Sequence, residues 1–187
     1  FESIGSVSRD NLAHINADGT LDLTFNPQMK STSGGVKAMA LNSGVLYAGG
    51  DFYGNSTCFG SPLDPVTAES LFPPAQLVAE HCTYSGNYYV YAVVSDGAGG
   101  WFMGGIFPSL QGVKIANLVH LNSDGTIDPT FDAQVNGQVN TLKLINGVLY
   151  AGGSFSSVGG VDRFRVAAID PATGSDLGWA PNIPGTV

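Results

Sequence analysis

One strand-and-turn pattern returns at a near-constant interval along the 187-residue chain, and it limits the possible folds more than any other feature. Gly-Gly-x-Phe occurs at 49–52, 104–107 and 152–155, at spacings of 55 and 48 residues. A second landmark is an apolar run that ends in a turn: Asn11 to Gly19, Asn117 to Gly125, Val166 to Gly174 and a degraded copy at Pro62 to Ala68. Its anchoring residues are Ile15, Leu63, Leu121 and Ile169. An aromatic follows each anchor by about ten residues, at Phe25, Phe72, Phe131 and Trp179. Three landmarks in one order define a repeat, and a fixed period of this kind signals a stacked or radial architecture.

Cutting at each Gly-Gly-x-Phe gives units 1–51, 52–106, 107–154 and 155–187, with an inserted loop at about 53–87. We take 1–187 as one partial domain of about three and two-thirds repeats. Unit 3 reads as four short strands: Ala116 to Asn122, Ile127 to Phe131, Val139 to Ile145 and Val148 to Ala151, with Ser123-Asp124-Gly125 and Asn146-Gly147 as turns. Four short strands in 40–50 residues is the content of a β-propeller blade. One such blade leaves both faces bare, so stacking against neighbours is what buries them. The aromatics are expected to fill the gaps between blades, each able to bury about 150–250 Å².

Composition agrees with an all-β chain. There are 26 glycines and 10 prolines, and aspartates outnumber glutamates twelve to three. Aspartate competes for backbone donors and favours turns over helices. Charged residues are 12% of the chain, near half the usual ~25%, with 43% hydrophobic residues, which argues against disorder. A net charge of −8 makes nucleic acid an unsuitable partner. No apolar run approaches the ~18 residues of a membrane-spanning helix.

Leu118 to Phe131 (LVHLNSDGTIDPTF) followed by Val148 to Phe155 (VLYAGGSF) resembles the delta-60 repeat of bacterial secreted and cell-surface β-propellers. Leu12 to Phe25 with Val45 to Phe52 matches equally well, and unit 4 keeps Ile169 to Gly174 and Trp179-Ala180-Pro181. Unit 2 departs between Tyr53 and Asn87. The resemblance implies a propeller fold and an extracellular or cell-surface setting. It implies no enzyme activity and no catalytic motif.

Three and two-thirds units do not obviously close a ring, and open blades expose sheet edges. Two solutions are expected. Either these residues belong to a larger propeller, or neighbouring copies supply the missing strands. The first residue is Phe and no Gly-Gly precedes it, which suggests an upstream segment or a longer parent chain.

The divergent loop holds both cysteines, Cys58 and Cys82. With no CxxC, they read as one disulfide that implies an oxidising compartment and stabilises by roughly 3 kcal/mol; two separate buried thiols are the alternative. Asn55-Ser56-Thr57 is a formal glycosylation sequon, weak on the motif alone. Tyr84, Tyr88, Tyr89 and Tyr91 lie within eight residues, a density that suits sugars or protein partners. Strand alternation offers a plainer reading, with Tyr89 and Tyr91 on one face between blades.

His14 and His120 share a repeat position and read as structural residues. Asn16 to Gly19 and Asn122 to Gly125 fail the EF-hand pattern, since Phe25 and Phe131 stand where its last ligand is required. Asp22 and Asp128 are expected to cap turns. We expect no cofactor, no metal and no catalytic residue. The leading expectation is a non-enzymatic extracellular structural or adhesive module, partnered by other protein chains or its own copies. The alternatives are a carbohydrate- or protein-binding site on the Cys58–Cys82 loop and adjacent tyrosines, and, more weakly, a fragment of a secreted hydrolase.

Overall fold

Three three-stranded antiparallel sheets stand face to face, each built from the hairpin that ends one unit and a strand from the start of the next. The computed structural model describes residues 1–54, 57–71, 89–107, 109–110 and 113–181. All its elements are strands: β1 (Ser3–Ile4), β2 (Val7–Ser8), β3 (Lys30–Asn42), β4 (Val45–Gly54), β5 (Thr57–Leu63), β6 (Tyr89–Ser95), β7 (Trp101–Ile106), β8 (Ser109–Leu110), β9 (Val113–Lys114), β10 (Leu118–Leu121), β11 (Gln138–Ile145), β12 (Val148–Ser154), β13 (Ser157–Val158), β14 (Val161–Asp162) and β15 (Val166–Ile169). Blade I is β3-β4-β5, blade II is β6-β7-β10 and blade III is β11-β12-β15. The fold is all-β and its repeats are propeller blades. Among the described residues no helix is long and apolar enough to cross a membrane.

The second run of each unit is present as the outermost part of a blade, reduced to one bridge after a turn: Leu63 with Ser70, Leu121 with Ile127, and Ile169 with Asp176. The turn chemistry accounts for the short pairing. Asp124 Oδ1 accepts from both the amide and the hydroxyl of Thr126, so the turn uses side-chain acceptors where a ladder would use carbonyls. The first two strands of blade III meet at Asn146 and Gly147, both at positive φ, as a tight hairpin needs. Residues 11–25 form only the outer part of a blade, with Ile15 bridged to Leu21.

Three two-stranded hairpins, β1-β2, β8-β9 and β13-β14, join the middle and outer runs. Sequence reading missed them because each strand is two residues long. Their signal is a Phe, a Ser two residues on, then an aliphatic, a glycine and a valine: Phe1 to Val7, Phe107 to Val113 and Phe155 to Val161.

The two glycines of each pair serve different steric needs. A Cβ on the first would enter the next blade: at Gly49 it would lie 2.5 Å from Val90 Cγ1, and at Gly104 it would lie 2.4 Å from Val139 Cγ1. A Cβ on the second would strike its own sheet, 2.1 Å from the Gly35 carbonyl at Gly50 and 1.9 Å from the Tyr89 carbonyl at Gly105. Each second glycine sits at an irregularity in the strand register, between Val36 and Ala38, Val90 and Ala92, or Val139 and Thr141.

The core follows the stacking. Tyr47 of blade I packs on Trp101 of blade II, ring centroids 5.2 Å apart, with Val90, Met103 and Leu121 around them. Burial alone drives the Tyr47 phenol well above its ordinary pKa. Phe102, Phe131, Val139, Leu142 and Leu149 fill the gap between blades II and III. Leu12, Phe25 and Met29 cover blade I through Ala48, Phe52 and Leu63. Phe25 and Phe131 thus fill inter-blade gaps as expected; Phe72 lies outside the described residues, and Trp179 rests edge-on against Tyr150 on the open side of blade III.

The geometry predicts unequal costs for one substitution at two repeat positions. Gly104→Ala should destabilise by about 1–3 kcal/mol by overpacking. Gly152→Ala should cost less than Gly104→Ala, because only the Thr141 methyl, at 2.9 Å, must give way, whereas at Gly104 Val139 Cγ1 lies at 2.4 Å with Val139 Cβ and Leu142 Cδ1 behind it. Denaturant unfolding of the two variants measures the difference.

Candidate functional site

Two groups of side chains stand out once the blades are placed, one polar and ionic, the other aromatic. In the first, His120 on β10 is held from both sides. Its Nδ1 lies 2.9 Å from Asp128 Oδ2 and its Nε2 lies 3.1 Å from Asp96 Oδ2. The ring stacks on Phe102 at 4.4 Å and meets Phe131 edge-on. Both nitrogens can donate to the two carboxylates only when both carry protons.

Asp96 is placed by the turn between β6 and β7. Its Oδ1 accepts from the Ala98 and Gly100 amides at 2.7 and 2.9 Å. Asn42, at the end of β3, also reaches it, at 3.2 Å, and donates to the Gly100 carbonyl at 3.1 Å. On the other side, Asp128 Oδ1 accepts from the Thr130 amide and hydroxyl at 2.9 and 2.7 Å. The same hydroxyl lies 3.4 Å from the Ala172 carbonyl of blade III. Polar contacts therefore run unbroken from blade I through blade II to blade III.

Burial pushes the Asp96 and Asp128 carboxyls upward, but the bonds they accept outweigh it and hold both below the ordinary value. For Asp96 these come from Ala98, His120 and Gly100; for Asp128, from Thr130 and His120. His14 repeats half of the arrangement. Its Nδ1 lies 3.0 Å from Asp22 Oδ2, and that bond leads the causes that hold Asp22 far below the usual range. Asp22 and Asp128 cap their turns as expected, through Thr24 and Thr130. Asp18 and Asp124 accept from the Thr20 and Thr126 hydroxyls and amides, which lowers both carboxyls and makes these loops hairpin turns. Among the described residues, no group of three or more His, Cys, Asp or Glu side chains could hold a metal ion.

The second group lies where β6 begins. Tyr89 and Tyr91 are half-buried neighbours, ring centroids 5.7 Å apart and planes tilted by 39°. Burial, then Tyr89, then Asp51 of blade I push the Tyr91 phenol upward. Asp51 accepts a 2.8 Å hydrogen bond from Ser31 Oγ, which itself accepts from the Gly34 and Gly35 amides. A Cβ at Gly34 would lie 2.6 Å from Lys37 Nζ and 2.9 Å from Asp51 Oδ2, so these groups share one corner. The structure brings Tyr89 and Tyr91 together with Asp51, which the sequence did not single out; Tyr84 and Tyr88 lie outside the described residues, as do Asn55 and Cys82. Cys58 stands on β5 with its backbone opposite Tyr53.

A family described as "Domain of unknown function (DUF5122) beta-propeller" matches residues 1–25, 95–131 and 146–174. The three segments cover the outer part of the first unit and much of blades II and III, and they establish β-propeller-type repeats. No curated protein matches the chain.

The polar line predicts acid sensitivity with a defined sign. Because the folded-state values of Asp96 and Asp128 lie below the unfolded ones, their contribution is complete above about pH 4 and is lost as pH falls through the folded-state values. Asp96→Ala should cost about 1.5–3 kcal/mol at neutral pH, the usual worth of hydrogen bonds to a charged group. Its stability should also fall less between pH 5 and 2 than that of the parent, as read by denaturant unfolding at each pH.

Proposed function

We propose that the chain is a non-enzymatic propeller module that acts by assembling with other protein chains, its own copies included, in an extracellular or cell-surface setting. The supporting observation is that a blade surface covered twice by a neighbouring blade has, among the described residues, no blade against it a third time. The faces holding Gly49 and Gly104 each receive two aliphatic side chains from the next blade. Among the described residues, the face holding Gly152 meets only Thr141 of its own sheet and the Arg165 carbonyl just before β15. Ile145 and Trp179 are half exposed there, and on blade I Met39 and Leu41 are 53% and 64% exposed. Open apolar surface of this kind marks an interaction site.

Multi-angle light scattering tests the reading. The native mass should be several times that of the denatured chain and should fall on dilution. Met39→Glu with Leu41→Glu, both at exposed positions, should shift the population to monomer by about tenfold or more in the association constant. A monomer at every concentration would remove self-assembly.

The extracellular setting is supported by the delta-60 resemblance and by the two cysteines of the divergent loop. Thiol titration of the denatured, unreduced protein should find no free thiol if Cys58 and Cys82 are bridged. Two free thiols would argue against an oxidising compartment.

One observation favours a second reading. The Tyr89–Tyr91 pair presents tilted aromatic faces within the field of the Asp51 carboxylate, a chemistry suited to a sugar or a peptide. Tyr91→Ala should abolish binding across a glycan panel while leaving the fold intact.

A further inference from the structure

The chain has two Asn-Gly pairs, at 136–137 and 146–147, and the fold treats them in opposite ways. An asparagine before glycine is the pair best able to cyclise, because no Cβ on the glycine shields its main-chain nitrogen from the side-chain carbonyl carbon. The side chain of Asn136 is held by three hydrogen bonds. Its Oδ1 accepts from the Ser156 and Ser157 amides, both at 2.9 Å, and its Nδ2 donates to Ser156 Oγ at 2.8 Å. Among the described residues, the Asn146 carboxamide makes no hydrogen bond and the Gly147 amide has no acceptor. Both residues are exposed at the tip of the β11–β12 hairpin. That exposure is a property of the blade and not of what lies beyond it. Ser43 and Gly44 hold the same place in blade I, with φ of 49° and 79° against 50° and 76° for Asn146 and Gly147. Blade II is stacked on blade I, and Ser43 and Gly44 are exposed all the same.

We propose that Asn146 is a self-modification site, where the chain converts its own turn asparagine to aspartate and isoaspartate, while Asn136 is protected by its hydrogen bonds. The Gly147 nitrogen, losing its proton, bonds to Asn146 Cγ as the Cγ–Nδ2 bond breaks, and the side-chain nitrogen leaves with that proton as ammonia. The five-membered succinimide so formed then takes up water. Opening at Cγ gives aspartate; opening at the main-chain carbonyl gives isoaspartate, in which the chain runs through Cβ and Cγ. No oxidant or reductant takes part. Either product adds a negative charge to a chain that already carries −8. Isoaspartate also lengthens the turn by one main-chain atom. In a two-residue hairpin the turn sets the strand register, so the closing pair of Ile145 with Val148 is the first to loosen.

Peptide mapping of the native chain after incubation at neutral pH and physiological temperature reads both asparagines at once, with electron-transfer fragmentation to separate aspartate from isoaspartate. Asn146 should convert, mainly to isoaspartate, on the order of a hundredfold faster than Asn136, whose three hydrogen bonds must break first. In concentrated guanidinium chloride the two should react at similar rates, because both precede glycine and neither is held. Asn146→Ser, which gives blade III the Ser-Gly turn of blade I, should fold normally and yield no isoaspartate at the hairpin tip. An Asn146 that stays intact in the native chain while it reacts in the denatured one would overturn the proposal. Equal rates at the two asparagines in the native chain would overturn it as well.

Discussion

The close approach of one blade to the next depends on the absence of two Cβ atoms. At Gly49 and Gly104 the missing side chain is the space that Val90 and Val139 occupy, and at Gly50 and Gly105 it is the space of a carbonyl on the same sheet. Both requirements fall on adjacent residues, because the register shift that brings the carbonyl inward lies beside the strand segment the neighbour presses on. Alanine meets neither requirement, so the pair recurs as glycine. Tyr47 can meet Trp101, and Phe131 can reach Phe102, because the sheets already stand this close.

Much of this was legible in the sequence because it is local. Asp124 and Thr126 build their turn within three residues, Asn146-Gly147 specifies its own hairpin, and the repeat period identifies which units stack. The reading of Tyr89 and Tyr91 as neighbours on one strand followed from alternation alone. The links between blades were not legible. Asp96 lies in a β6–β7 turn longer than its two-residue counterparts at Ser43-Gly44 and Asn146-Gly147, and its bonds to Asn42 and His120 join residues 54 and 24 positions away. The Asp51 charge felt by Tyr91 likewise acts between two blades, and no spacing announces it. The candidate site was therefore half visible: its aromatic half came from local density, its acidic half from tertiary packing.

The repeated histidine shows how one residue type takes its meaning from its surroundings. His14 and His120 have the same aspartate on Nδ1 and the same backbone around them. In blade III the position is Ala168, opposite Tyr150, and in blade I it is Pro62, opposite Tyr47. A histidine here is thus not a demand of the blade itself. It accompanies the Asp-Gly turn and the paired carboxylate that the first unit and blade II share.

The unbroken polar line from Asn42 to Ala172 also bears on how the molecule comes apart. Stacked repeats ordinarily open from their ends, each unit held only by its neighbours. Among the described residues, blade II is gripped through both flanks by apolar contact and by the Asp96–His120–Asp128 line, while blade III is gripped through one. Amide exchange should therefore be slowest on β7 and β10 and faster on β12, with blade II behaving as the last cooperative unit to open.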